Sequence, residues 1–250
     1  MKKIFQLKFS FTFFIHILKA IFYKYHKDKG YLIQKILKKP EIIIDVGAHA
    51  GQFLKMVSSS YNNKVKIIAI EPGLYARSIL RLSIFFNRLK NIFVIPMAVS
   101  DQKDFSFLNI PEKRKNSFGF GLSHMSTDCD DFLERNFKIH YDYVSVTTID
   151  QIVKDLEIEK VDLIKMDIEG FEYKALLGAS ETLEKFKPII YIELMANSLN
   201  RNNDSLNDVY NFLRKLNYKS YCIKDSDLEE FNENKEDDAV FFISDKDPTS

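Results

Sequence analysis

The residues with the most chemical content stand at five places along the chain: Asp45, Glu71, Asp101, Asp167 with Glu169, and Glu193. The first belongs to Asp45-Val-Gly47-Ala-His49-Ala-Gly51, which follows an apolar run and precedes helical spacing. A ligand that comes close to such a turn needs backbone without a Cβ, which Gly47 and Gly51 supply. A helix beginning at about Gln52 would point free N–H groups at that ligand, and these suit a carboxylate. Asp45 can accept hydrogen bonds from an ammonium group. A methionine moiety carries both groups. The spacing is not the three-glycine dinucleotide fingerprint, and a purely structural strand-to-helix turn also accounts for it.

Glu71 ends the next apolar run, 26 residues after Asp45. An acid at that point can accept hydrogen bonds from vicinal ribose hydroxyls, although a solvated acid at a strand end has the same signature. The third motif is Lys165-Met-Asp167-Ile-Glu169-Gly170-Phe-Glu172, with three acids in six residues at another strand-to-helix junction. Any one of these acids could be serving a helix N-terminus. Together with Asp101 and Glu193, however, they all fall at or just past the carboxyl ends of successive strands. In an open parallel sheet those ends form the edge where ligands bind. Like charges converging there raise one another's pKa values, which favours acid–base work.

The elements that must position these residues are legible in the hydrophobic pattern. Glu41–Val46, Val65–Ile70, Ile92–Ile95, Val161–Met166 and Ile189–Leu194 are short apolar runs rich in β-branched residues. Such runs suit strands buried on both faces. Helical spacing separates them at Gln52–Tyr61, Leu74–Leu89, Phe171–Phe186 and Leu206–Leu216. Two more strand-like runs follow, near Lys219–Ile223 and Ala239–Ile243. Alternation of this kind predicts an α/β fold with right-handed crossovers. Residues 98–147 are too long for an ordinary connection. They contain an alternating piece, Phe105–Ile110, a polar stretch with Gly119 and Gly121, and a returning strand at Tyr143–Thr147. The expectation is an insertion over the active site, a substrate lid.

The catalytic domain is expected over 40–246, preceded by a basic arm. Residues 1–39 carry ten lysines and one acid, Asp28, for a net +9, so the rest carries −8. Within the arm Ile4, Leu7, Phe11, Phe14, Leu18, Ile21 and Tyr25 make one stripe of an amphipathic helix. Lys8, His16 and Lys19 interrupt it well short of the ~20 apolar residues of a spanning helix. No small-residue cleavage site follows, so no removable signal peptide is expected. Two readings stand open: the stripe packs on the catalytic domain, or residues 1–25 lie on an anionic membrane surface. Cys129 and Cys222 are far apart and lack metal-ligand spacing, which predicts neither a disulfide nor a zinc site in a reducing, cytoplasmic setting. The net acidity of the body argues against nucleic acid as a partner.

The chain resembles the FkbM-type methyltransferases. The matching stretches are IIIDVGAHAGQF at 42–53, AIEP at 69–72, IPMAVSD at 95–101, VSVTTID at 144–150, VDLIKMDIEGFEYKALLGA at 161–179 and PIIYIE at 188–193. They occur in family order, and the 161–179 block is the most specific. The resemblance implies S-adenosylmethionine as cofactor and O-methylation of a hydroxyl on a sugar, glycan or secondary metabolite. It implies a Rossmann-like class I sheet, mostly parallel and seven-stranded with an antiparallel last strand, helices covering both faces. Around the cofactor it implies Asp45, Gly47, Gly51 and Glu71. To these the reading above adds His49 and Asp101. His49 and Ala50 depart from the family pattern, which has asparagine and then a larger apolar residue or histidine.

For the reaction itself, a base that accepts the hydroxyl proton is expected from Asp167 or Glu169, with His124 or His140 as alternates. A magnesium site built from Asp167, Glu169 and Glu193 is a competing use of the same acids, without metal-specific spacing, and no resident metal is expected. A nicotinamide-dependent oxidoreductase shares the fold but needs a pyrophosphate turn that this sequence lacks. A membrane-associated scaffold without catalysis is the non-enzymatic alternative.

Overall fold

The computed structural model describes residues 13–22, 27–114, 117–118, 124–126, 138–224 and 227–244. Cys129, Gly119, Gly121 and the arm positions Ile4, Leu7, Phe11 and Tyr25 lie outside the described residues. Two helices come first, α1 over 13–22 and α2 over Lys27–Ile36. Strand and helix then alternate: β1 Ile42–Val46, α3 Gln52–Ser60, β2 Lys66–Ile70, α4 Leu74–Phe86 and β3 Ile92–Ile95. A run of strands follows, β4 Ala98–Val99, β5 Asp104–Arg114, β6 Ser117–Phe118, β7 His124–Ser126 and β8 Lys138–Thr147. Alternation resumes with α5 Ile149–Asp155, β9 Leu163–Met166, α6 Glu172–Leu177, α7 Ser180–Phe186 and β10 Ile189–Leu194. The remaining elements are α8 Ala196–Leu199, α9 Leu206–Lys215, β11 Tyr218–Lys224, β12 Asp227–Phe231 and β13 Asp237–Ser244.

The main sheet has the order β12-β11-β13-β10-β9-β1-β2-β3. Its five strands from β10 to β3 are parallel, and β13 is antiparallel to both neighbours. This is the expected mostly parallel sheet with an antiparallel last strand, but with eight strands rather than seven. The added strand, β12, folds back on β11 at the edge. Its sequence, DLEEF, has too few apolar residues to be read as a strand, because an edge strand need bury little.

Successive residues of each central strand feed opposite cores, the period of two that defines a strand. Ile44, Val46, Ile68, Ile70, Ile164, Met166, Ile190 and Ile192 pack on one side with residues of α5, α6, α7 and α9. Ile43, Ile67, Leu163, Ile189 and Phe241 pack on the other with residues of α2, α3 and α4. The sheet is buried on both faces, and that fixes which edge is left for a ligand.

The stretch expected as one helix over Phe171–Phe186 is two helices, α6 and α7, parted at Gly178 and Ala179. A Cβ on Gly178 would stand 2.1 Å from the Ser100 carbonyl oxygen, so this glycine lets the end of β4 reach the helix pair. Asp150 then caps α7, accepting from the backbone N–H groups of Glu181 and Thr182 at 3.0 and 2.8 Å. The described residues of 98–147 are largely sheet rather than loop. β5 and β8 form a long antiparallel pair within a second, five-stranded sheet. One face of that sheet, through Leu108, Ile110, Val144 and Val146, rests on Phe171 and Ile168.

Helix α1 lies on the body, but by a stripe other than the expected one. Phe13, Ile17 and Ala20 face Ala50, Tyr75 and Ile79, whereas Phe14 and Leu18 are exposed. Small side chains at 20 and 50 permit the close approach. Lys55 donates from Nζ to the Ala20 and Ile21 carbonyls, and Ser83 Oγ donates to the Ala20 carbonyl at 3.4 Å. Among the described residues no helix is long and apolar enough to cross a membrane.

Candidate active site

The carboxyl ends of β1, β2, β9 and β10 carry the site, and Lys165 ties three of them together. The register places Lys165 opposite Asp45 on one side and Tyr191 on the other. Its Nζ donates to the Gly47 carbonyl at 3.0 Å and lies 3.4 Å from Asp45 Oδ1 and 3.5 Å from Asp167 Oδ2. Burial disfavours its charge, but Asp45 and Asp167 outweigh that and hold its pKa above the ordinary lysine value.

Asp45 is wholly buried, and both its carboxylate oxygens lack a hydrogen bond. Lys165 stands near enough for charge attraction without that alignment. Burial raises the Asp45 pKa and Lys165 only partly offsets it. A buried carboxylate with unfilled acceptor positions fits a ligand's ammonium group.

Gly47, at φ +76°, adopts the left-handed backbone that favours glycine, and a Cβ there would stand 2.0 Å from the Asp167 carbonyl oxygen. The N–H groups of Gly47 and Ala48 both donate to the Ile70 carbonyl at 3.0 Å, which binds the turn to the end of β2. His49 also has positive φ, at 46°. Its backbone N–H donates to Glu71 Oε2 at 2.8 Å, and Gly73 N–H donates to Glu71 Oε1 at 2.8 Å. Each oxygen keeps a second lone pair for a ligand hydroxyl. Burial pushes Glu71 from its ordinary 4.5 up to about 7, against the pull of the two N–H groups. Gly51 stands at the N-terminus of α3, which has no side-chain cap, so the first helical N–H groups remain available to a carboxylate.

The His49 ring is largely enclosed, its Nε2 without a partner, and burial with the Lys165 charge lowers its pKa from the ordinary 6.5. His16 on α1 stands close by, hydrogen-bonded through Nδ1 to the Tyr75 hydroxyl at 2.8 Å. The first helix therefore closes over the glycine turn, which no pattern in the sequence indicated.

Asp167 and Glu193 meet at the ends of β9 and β10. Burial, and then the neighbouring Asp167 carboxyl to which it is hydrogen-bonded, raise Glu193 to about 7. The backbone past Asp167 is held by Glu172, which accepts from the N–H groups of Ile168 and Gly170 at 2.9 Å each. Burial lifts Glu172 to about 7. Glu169, at φ +56°, turns towards Arg201, whose Nη2 lies 3.8 Å from its Oε2 and donates to its carbonyl at 3.2 Å.

Asp45, Gly47, His49, Gly51, Glu71 and Asp167 thus surround one corner of the sheet, with Glu169 on its far side. Asp101 is exposed and accepts from Ser100 Oγ at 2.8 Å. His124 lies on β7 opposite Asn109, and His140 on β8 opposite Ile110, both in the second sheet. Among the described residues no three histidine, cysteine, aspartate or glutamate side chains converge in a way that could hold a metal ion. Sequence reasoning quoted Lys165 and Glu172 but gave them no role. A lysine inside an apolar strand was the available signal for the first.

The family model described as the methyltransferase FkbM domain matches residues 45–220. A solved methyltransferase FkbM from Methylobacillus flagellatus KT is 20% identical, with a TM-score of 0.54 over 87% of this chain and 47% of that one. The chain therefore spans about half the length of that relative. A candidate O-methyltransferase from Klebsiella pneumoniae is 8% identical, with a TM-score of 0.50 over 93% of this chain and 88% of that one. Both likenesses establish the fold. No curated protein matches the chain in sequence.

Proposed function

Because the chain belongs to the FkbM methyltransferase family, we propose that it transfers the methyl group of S-adenosylmethionine to a hydroxyl oxygen of a sugar, glycan or secondary metabolite. The observation that carries the reading is the 2.8 Å hydrogen bond from His49 N–H to Glu71. It locks the glycine turn and the strand-end acid into one cradle. In that cradle Asp45 accepts from the ammonium group, the α3 N-terminus takes the carboxylate, and Glu71 accepts from the ribose hydroxyls. S-adenosylmethionine supplies an electrophilic methyl on a sulfonium whose departing thioether is neutral.

The remaining work falls to this chain's own groups. Much of the rate comes from positioning. Asp167 takes the proton of the acceptor hydroxyl, with Glu193, raised to about 7, beside it at the end of the next strand. Glu169 is the second candidate base. Glu172 is a positioning residue for both, since it fixes the backbone between them. Turnover with labelled cofactor should fall by about 10² or more in Asp167→Asn and by less in Glu169→Gln. Rates near wild type in both variants remove these two as the base.

The whole reading is tested by calorimetry with S-adenosylhomocysteine, followed by labelled methyl transfer to a panel of nucleotide sugars, oligosaccharides and lipid-linked glycans. A folded protein that binds neither S-adenosylhomocysteine nor S-adenosylmethionine would overturn it.

A further inference from the structure

Charge is distributed along this chain far more unevenly than the arm alone suggests. Residues 1–100 carry seventeen lysines and arginines against four acids, Asp28, Glu41, Asp45 and Glu71, a net +13. Residues 101–250 carry −12. Of the four acids, Asp45 and Glu71 are buried in the site. Between them, from 46 to 70, there are three lysines and no acid, and from 72 to 100 four basic residues and no acid. The second of these stretches contains α4, on which α1 is docked.

The outward side of that helix pair is apolar. Phe14, Leu18 and Phe22 recur every fourth residue of α1 and are 56%, 38% and 74% exposed. Ser83, which hydrogen-bonds the Ala20 carbonyl, is followed within one helical turn by Phe85 and Phe86, 74% and 55% exposed. Single exposed apolar residues are ordinary; five large ones on two packed helices are not. Lys19 on α1, Arg81 on α4 and Arg88 just past its end are exposed too. Phenylalanines rimmed by cations, with no acid in the described parts of either helix, match the interface of an anionic bilayer. There rings enter the acyl boundary while basic groups meet lipid phosphates.

We infer that the face built by α1 and the end of α4 docks this enzyme on an anionic phospholipid membrane, with Phe14, Leu18, Phe22, Phe85 and Phe86 as the inserted side chains. The inference uses the fold and not the identity of the methyl acceptor. Docking is superficial and reversible.

The test is co-sedimentation of the full chain with vesicles of phosphatidylglycerol and phosphatidylcholine in equal parts, and with phosphatidylcholine alone. Wild type should pellet with the first and not the second, and high salt should release it. Phe14→Ser with Leu18→Ser and Phe22→Ser should weaken partitioning by about tenfold or more. So should Phe85→Ser with Phe86→Ser, on the other helix, which guards against misfolding of α1. Thermal stabilisation by S-adenosylhomocysteine reports that each variant is folded. Failure of wild type to pellet with anionic vesicles overturns the inference. So does unchanged partitioning in both phenylalanine variants. Equal binding to soluble heparin, insensitive to those variants, would assign the face to a nucleic acid or other polyanion instead. Concentration-dependent dimers abolished by the same substitutions would assign it to a second copy of this chain.

Discussion

Lys165 compensates two acids at once, and its removal should therefore be felt in folding as well as in binding. Lys165→Met leaves Asp45 buried without its countercharge, and breaking such a pair from one side typically costs about 3–5 kcal/mol. Denaturant unfolding of the apo protein should show a loss of that order. Asp45→Asn in the Lys165→Met background should recover part of it, while cofactor affinity stays low. Equal stability of Lys165→Met and wild type would mean that the ion pair is not what holds these strand ends. Glu71 supplies a pH signature. Its pKa stands near 7 in the folded chain against an ordinary 4.5, so the folded form binds its proton more tightly than the unfolded form. The favourable contribution is complete below about pH 4.5 and is lost as pH rises through about 7. Glu172 shifts in the same direction over the same window. Apo stability should thus decline between pH 4.5 and 7. Cofactor affinity should do the opposite, rising through about pH 7, because ribose hydroxyls need the ionised acceptor. Calorimetric titration across that range checks both, and Glu71→Gln should flatten the affinity profile at a low value. Asp45, Gly47 and Glu71 could be read from the sequence because strand ends and glycines mark themselves. The role of Lys165 could not, because it depends on the register that sets it opposite Asp45.

At the scale of elements, glycine placement decides where helices and strands meet. Gly47→Ala would drive a Cβ to 2.0 Å from the Asp167 carbonyl oxygen, at a φ that side chains rarely adopt. The turn must shift, and the backbone from Asp45 to His49 with it. S-adenosylhomocysteine binding should be abolished, with a smaller loss of stability. Gly178→Ala meets the Ser100 carbonyl oxygen at 2.1 Å without backbone strain. There the loss should be chiefly of stability, on the order of 1–3 kcal/mol for an overpacked site. A thermal shift paired with a binding isotherm separates the two outcomes. The same glycine shows what pattern alone misses. Its spacing continues the helical run from Phe171 to Phe186, and only the approach of β4 makes it a break. The run Ile189–Leu194 was readable to the residue because burial on both faces demands a nearly unbroken apolar sequence. β5 and β8 bury one face and pair with each other, so polar residues alternate through them, and only the pieces Phe105–Ile110 and Tyr143–Thr147 of these longer strands were legible.

Across the whole molecule, α1 is the element with two masters. Its inner side covers Ala50 and brings His16 to Tyr75, beside the glycine turn proposed to hold the cofactor. Its outer side contributes three of the five apolar side chains assigned to the membrane, Phe14, Leu18 and Phe22. The other two belong to α4, so the five form one surface only while α1 is docked on the body. Lipid therefore favours the docked arrangement, and so does any ligand that needs the turn closed. Two ligands that select the same state must strengthen each other, and by the same factor in either direction. Affinity for S-adenosylhomocysteine should rise by a few-fold, on the order of 1 kcal/mol, when anionic vesicles are present at saturation. Vesicle affinity should rise equally when S-adenosylhomocysteine saturates the protein. Ala20→Glu places a charge in the seam between α1 and α4 and should erase the coupling, while the parallel sheet and its strand-end acids remain in place. Equal affinities with and without vesicles, in a protein that does bind them, would separate the two faces of α1 and leave membrane docking without influence on the site.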